Sequence, residues 1–173
     1  MAGIKLLDKR AGNLDFIINE LTKPEIKAQM FDDFVGGAEI SVAMFDPFTM
    51  VYGIFEKGRP IPIGTIILDS VRPFRGCEIH AVIFRPEDRN AKKMQSIAQS
   101  LKQDLMIRWN LHYAEARVLA TNAAAGHLLE KLGMKKIGTK PGNVVSDGKY
   151  ADVDEYYVVL DGDKLFDFDR GGK

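Results

Sequence analysis

The sequence predicts a mixed α/β fold, an α+β arrangement in which helices pack on one mixed, mainly antiparallel sheet. Three observations point there. Strand-like runs at 50–55, 61–68 and 77–84 follow one another with turn residues between them, the pattern of an antiparallel meander. A long segment with helical spacing comes next, with Met94, Ile97, Ala98, Leu101 and Leu105 on one stripe. Beyond it the pattern alternates again: strand at 115–120, short helix at 123–133, strands at 134–138 and 154–160.

The elements read as follows in chain order. Residues 4–7 are a short apolar run ended by Asp8-Lys9-Arg10, a first strand. Asn13 is a good N-cap for a helix with Leu14, Ile17, Ile18 and Leu21 on one face. Pro24 suits the first turn of a second helix, and Ile26, Met30 and Phe34 continue the stripe. Asp32-Asp33 has two readings, a solvated helix end or a carboxylate pair at the rim of a cleft. Gly36-Gly37 marks a break, with helix or loop through Ala43. Asp46-Pro47 is a turn, and 56–60 a hairpin-type turn containing Gly58. Trp109, His112 and Tyr113 fall in a linker after the long helix. Thr121-Asn122 can cap the short helix, whose Leu128, Leu129 and Leu132 are expected to pack inward and whose stop is Gly133. Residues 140–149 read as a turn-rich loop.

Bulk properties narrow the function. A chain of 173 residues suits one domain with its own core, expected over 1–162, followed by a charged tail at 163–173. The tail keeps Leu165, Phe166 and Phe168, which could dock on the domain or on a partner. Lys+Arg and Asp+Glu both number 24, so no global basic field argues for nucleic acid. Cys77 is the only cysteine, which rules out an internal disulfide and a cysteine-based zinc site. No secretory leader and no apolar run near the ~20 residues of a membrane span are visible. A cytoplasmic protein without a metal or a membrane is therefore expected.

The segment with the most chemistry is 77–94. Alternation along the strand puts Ile79, Ala81 and Ile83 on one face and Glu78, His80, Val82 and Phe84 on the other. Glu78 and His80 are either solvated or paired near a sheet end, or a base poised over a cleft. The turn after Phe84 delivers a helix N-terminus to the end of the strand, where free N–H groups and the helix dipole attract anions. Lys92 and Lys93 in that first turn oppose the dipole. They are either a solvated face or cations that help hold a polyphosphate.

Two stretches carry a family resemblance. Cys77-Glu-Ile-His-Ala-Val-Ile-Phe-Arg-Pro-Glu-Asp-Arg89 resembles the central-strand pattern of the GNAT acetyltransferase superfamily, an acidic residue, apolar alternation and Pro-Glu-x-Arg. Asn122, Ala125, Leu129, Lys131, Gly133 and Met134 match that superfamily's second cofactor motif at fixed spacing. The element order along nearly the whole chain is also similar. The resemblance implies a GNAT-like fold with about seven strands, about four helices and a splayed central strand pair. A weaker similarity, in Thr-Lys-Pro-Glu-Ile and the Asp-Asp pair, is to small GNAT-like proteins of tailed bacteriophages.

The resemblance also implies a chemistry: direct transfer of an acetyl group from acetyl-CoA to a primary amine, either a small amine or a protein lysine or N-terminus. It makes Glu78 or His80 the base, and backbone N–H groups at Val82, Ile83 and Phe84 the donors to the thioester carbonyl. Arg89, Asn90, Ala91, Lys92, Lys93 and Met94 would face the pyrophosphate, and Asn122, Ala125 and Leu129 the rest of the coenzyme. Two departures stand out. Asn90, Lys92 and Met94 occupy positions where relatives carry glycines. Leu129 stands where many relatives have a tyrosine that protonates the departing thiolate, so an acid would come from Tyr156, Tyr157 or solvent. The rival expectation is a GNAT fold without catalysis, used for binding, virion assembly or host takeover. A homodimer, or a partner held by the tail, is left open.

Overall fold

The computed structural model describes residues 2–10, 13–30, 33 and 35–160; Asp32, Phe34, Leu165, Phe166 and Phe168 lie outside these. The strands are β1 (Ala2–Leu6), β2 (Met50–Glu56), β3 (Gly64–Asp69), β4 (Gly76–Ile83), β5 (Tyr113–Leu119), β6 (Lys135–Ser146) and β7 (Lys149–Val159). The helices are α1 (Asn13–Leu21), α2 (Pro24–Met30), α3 (Gly37–Phe45), α4 (Ala91–Ile107) and α5 (Ala123–Lys131), with a 3-10 turn at Pro86–Asp88. One seven-stranded sheet runs in the order β1-β2-β3-β4-β5-β7-β6. Every pairing is antiparallel except β4 with β5. That pair is parallel because α4 carries the chain back between them, the crossover that a parallel connection needs.

The mixed sheet of the sequence reading is therefore present, and strand alternation divides its core in two. On one face Met94, Ile97, Leu101 and Leu105 of α4 pack on Tyr52, Ile54, Ile66, Leu68, Cys77 and Ile83. On the other, Leu14, Ile17, Leu21, Ile26, Ile40 and Met44 of α1, α2 and α3 pack on Val51, Ile67, Val82 and Phe84. The two faces read from β4 are the two faces found, since Ile79 and Ile83 join the first cluster while Val82 and Phe84 join the second.

Several boundaries differ from the sequence reading. Five α-helices form among the described residues, because 37–45 is helical rather than ambiguous. Glu39 reaches back to the Gly36 N–H at 3.0 Å, and Ile40 and Met44, one turn apart, are both buried. Tyr113 belongs to β5 rather than to a linker. Residues 140–149 are mostly strand. Asp147 and Gly148, with φ of 53° and 71°, make the two-residue turn between Ser146 and Lys149, which are paired in register. Two successive positive φ values match the strand twist of a tight hairpin. Leu128, Leu129 and Leu132 are only half-buried, because α5 meets the sheet near its β5–β7–β6 end. There Ala116, Met134 and Tyr156 form a small separate cluster. No described helix is long and apolar enough to cross a membrane.

Candidate active site

β4 and β5 pair only from Gly76 to Glu78 and from Tyr113 to Glu115. Past that point β5 stays with β7 along its full length, and β4 stays with β3 up to Ile83. The strands therefore diverge, and a wedge opens between them. The Phe84 N–H donates to Ile63 O at 3.0 Å, and the His112 and Tyr113 N–H groups donate to Arg75 O at 2.7 and 3.2 Å. By alternation, even-numbered residues of β4 turn their peptide groups to β3 and odd-numbered ones to the wedge. Of the three candidate donors at Val82, Ile83 and Phe84, the Ile83 N–H is the one that faces the opening. Ala81, in the same stretch, is exposed.

Glu78 and His80 lie at the wedge on the α1–α3 face, and β5 brings them a partner. The Arg117 guanidinium donates to both Glu78 oxygens, Nε to Oε1 at 2.6 Å and Nη2 to Oε2 at 2.7 Å. Glu78 Oε1 is also 3.4 Å from His80 Nε2. Desolvation holds the His80 pKa below the ordinary histidine value, against the opposing pull of Glu78 and Asp69 and with a smaller push from Arg117. His80 is thus neutral near pH 7, with a lone pair to offer. Glu78 is held by a fork of two charge-assisted hydrogen bonds. Arg117 was missed by the sequence reading, although Glu115 and Arg117 alternate with Ala114, Ala116 and Val118 and so mark a polar face of β5.

Elsewhere the α2–α3 connection meets the β6–β7 hairpin. Asp33 accepts from the Gly148 N–H at 2.8 Å and the Asp147 N–H at 3.3 Å, and its own N–H donates to Val145 O. α2 also touches β4 and β5. Asp33 thus anchors the turn of that hairpin.

At the far end of β4 the anion seat is partly filled by the protein itself. Asn90 Oδ1 accepts from the Lys93 N–H at 3.0 Å, and Lys93 Nζ pairs with Glu56 at 2.9 Å. Asp88 is buried and receives both its contacts from Arg59 Nη1, at 2.8 and 2.9 Å. Arg89 reaches Gln29 Oε1 at 3.4 Å. Met94 points into the core. Lys92 is exposed and makes no ion pair among the described residues. Of the residues expected at the pyrophosphate, Lys92 and Arg89 carry the accessible charge.

On the opposite face Asn122 caps α5, its Oδ1 accepting from the Ala125 N–H at 3.2 Å. Tyr156 stands beside Ala116 in β5, and its Oη lies 2.6 Å from where a Cβ on Gly126 would be. Leu129 packs on the same cluster. The Tyr156 pKa is raised, first by burial and then by Asp154 and Glu130, so the phenol keeps its proton. Tyr156 is therefore not beside Glu78 and His80; it lies across the sheet from them, next to the Leu129 position. Tyr157 points to the other face and stacks on Tyr113 at 5.3 Å.

The arrangement fits a thioester cofactor on an observation of its own: beyond Glu78 the edge of β4 facing the wedge has no strand partner among the described residues, leaving peptide groups for an extended pantetheine arm. Comparison with known proteins agrees with the fold. A family model described as "Acetyltransferase (GNAT) domain" matches residues 17–135. Spermidine N-acetyltransferase from Vibrio cholerae, solved in complex with CoA and spermine, is 22% identical, with a TM-score of 0.76 over 92% of this chain and 95% of that one. The Vibrio cholerae spermidine/spermine N-acetyltransferase in complex with manganese ions is 20% identical, with a TM-score of 0.71 over 92% of each chain. At these identities the likeness is one of fold. No curated protein sequence matches the chain.

Proposed function

The chain belongs to the GNAT acetyltransferase domain family, and from that premise we propose that it moves an acetyl group from acetyl-CoA to a primary amine. The observation that supports this best is the wedge, which opens immediately after Glu78 with His80 on one face of the sheet; Tyr156 lies on the other face, one strand beyond β5.

In this reading His80 takes the proton from the attacking amine, directly or through a water, while Glu78 steadies it. The Ile83 N–H donates to the carbonyl oxygen as negative charge develops there. The amine nitrogen forms the new bond to the acyl carbon as the carbon–sulfur bond breaks. Tyr156 gives its proton to the departing sulfur from the side of Leu129, which has none to give. Asn122 and Ala125 line the coenzyme's path, and Lys92 and Arg89 face its phosphates. The expected site is cytoplasmic, and the neighbours that hold CoA and spermine make polyamines reasonable first acceptors to assay.

A second reading, a binding protein on a GNAT fold, rests on the self-satisfied α4 N-terminus, where Asn90 and Glu56 already occupy groups a pyrophosphate would use. Calorimetry separates the two. Binding of acetyl-CoA and CoA, followed by turnover on a panel including spermidine, spermine, lysine peptides and N-terminal peptides, supports the enzyme. No heat with either coenzyme at millimolar concentration overturns it. His80→Ala should then cost about 100-fold in kcat.

A further inference from the structure

Where β4 and β5 stop pairing, a bidentate ion pair replaces the backbone ladder. Glu78 is the last β4 residue in register with β5, and Arg117 lies two residues past its β5 partner Glu115. Arg117 has a second acidic neighbour in reach, since Glu155 is its register partner on β7. That carboxylate is already held by Lys140 at 2.6 Å. Arg117 is thereby left to Glu78, which it grips with both arms of its fork. The Arg117 side chain is 45% exposed while Glu78 is 16% exposed, so the fork holds a mostly shielded carboxylate from the solvent side.

Resting on the acetyl-transfer reading above, we infer that Arg117 is a positioning residue: it fixes Glu78 so that Oε1 faces His80 Nε2, keeps the proton on that nitrogen and leaves Nδ1 as the lone pair for the acceptor amine. Two observations support it. Oε1 lies 3.4 Å from Nε2, a contact of the kind that tightens when a substrate fills an apo site. The charged groups facing the imidazole are Glu78 on its own strand, Asp69 on β3 and Arg117 on β5. Arg117 is the cation that offsets two carboxylates. With it, His80 is steered without being made permanently cationic. Without it, both carboxylates would draw a second proton onto the ring, and a protonated imidazole accepts nothing from an amine.

The test is nitrogen-15 NMR of the His80 imidazole combined with steady-state kinetics. In the wild-type chain His80 should titrate below the ordinary histidine range as the Nε2–H tautomer. Arg117→Gln should move that titration upward and mix the tautomers, and Glu78→Gln should move it downward. Folding is checked in each variant by circular dichroism. On the best acceptor, Arg117→Gln should lower kcat by about 10- to 100-fold, leave the KM for acetyl-CoA unchanged and shift the acid limb of the kcat profile upward. Arg117→Lys, which keeps the charge without the fork, should recover part of the loss. An unmoved His80 titration and tautomer in Arg117→Gln overturns the inference. So does undiminished turnover in that variant, and the acetyl-transfer reading survives both results. If His80 responds as stated but no amine is acetylated by the wild-type chain, the positioning of His80 stands and the reaction assigned to it fails.

Discussion

Asn90 caps its own helix: its Oδ1 accepts from the Lys93 N–H at 3.0 Å, at the position where a pyrophosphate oxygen would compete for that donor. In the acetyl-transfer reading, coenzyme binding would displace this cap. Asn90→Gly removes the competitor, costs the helix only a few tenths of a kcal/mol, and relaxes the backbone at the turn. The expected result is tighter CoA binding by about tenfold, the worth of one hydrogen bond to a charged acceptor. Lys92→Glu should weaken it. Calorimetry on the two variants checks both directions, and equal affinities across all three proteins would remove the phosphates from this end of α4.

Asp33 holds the tip of the β6–β7 hairpin against the α2–α3 connection through the Asp147 and Gly148 N–H groups. Asp33→Ala should release that tip. Hydrogen exchange at Gly148 should speed up by at least tenfold, while amides in the centre of β3 stay protected. If the hairpin tip borders the acceptor's site, KM for the amine rises and KM for acetyl-CoA does not.

Gly126 gives Tyr156 the room for its hydroxyl. A Cβ there would stand 2.6 Å from Oη, inside any real contact distance. Gly126→Ala gains up to about 1 kcal/mol of helix propensity but loses about 1–3 kcal/mol to overpacking in a buried cluster. Net destabilisation is expected in urea unfolding, with partial recovery when Tyr156→Phe removes the clashing oxygen. Full stability in the single variant would show that the ring has another place to go.

Cys77 is buried between the sheet and α4, and desolvation together with Glu115, Glu78 and Asp69 pushes its thiol up to about 12. The thiolate is the nucleophile, so a thiol raised this far stays unreactive at pH 8. Iodoacetamide should leave the native chain unlabelled by mass spectrometry and label it fully in denaturant. Rapid labelling of the native chain would mean that the strand opens.

Arg59 supplies both contacts to the buried Asp88 in the turn before α4. Arg59→Ala leaves that carboxylate without its partner and should cost about 1–3 kcal/mol in urea unfolding. Asp88→Asn, which removes the charge along with its partner's role, should cost less. The opposite order would mean that Arg59 matters through its stem rather than its fork.

Much of this molecule follows from local sequence. Alternation in 77–84 separated the α4 face from the α1–α3 face, the spacing of Met94, Ile97, Leu101 and Leu105 placed the long helix, and Asn122 capped the short one, because each pattern is set by a few neighbouring residues. The hairpin at Asp147-Gly148 was read as part of a loop at 140–149, although its Asp-Gly pair follows Val144 and Val145 and precedes Tyr150, a turn signal between strand residues. What local sequence could not decide is which long-range partners meet. That Arg117 grips Glu78 rather than Glu155 depends on where β4 and β5 part and on Lys140 holding Glu155. That Tyr156 lies across the sheet from His80, beside Leu129, depends on β7 lying between β5 and β6. Strand neighbours are chosen by the packing of the whole sheet, and a residue's place along the chain carries no record of the side chain that will face it across a gap.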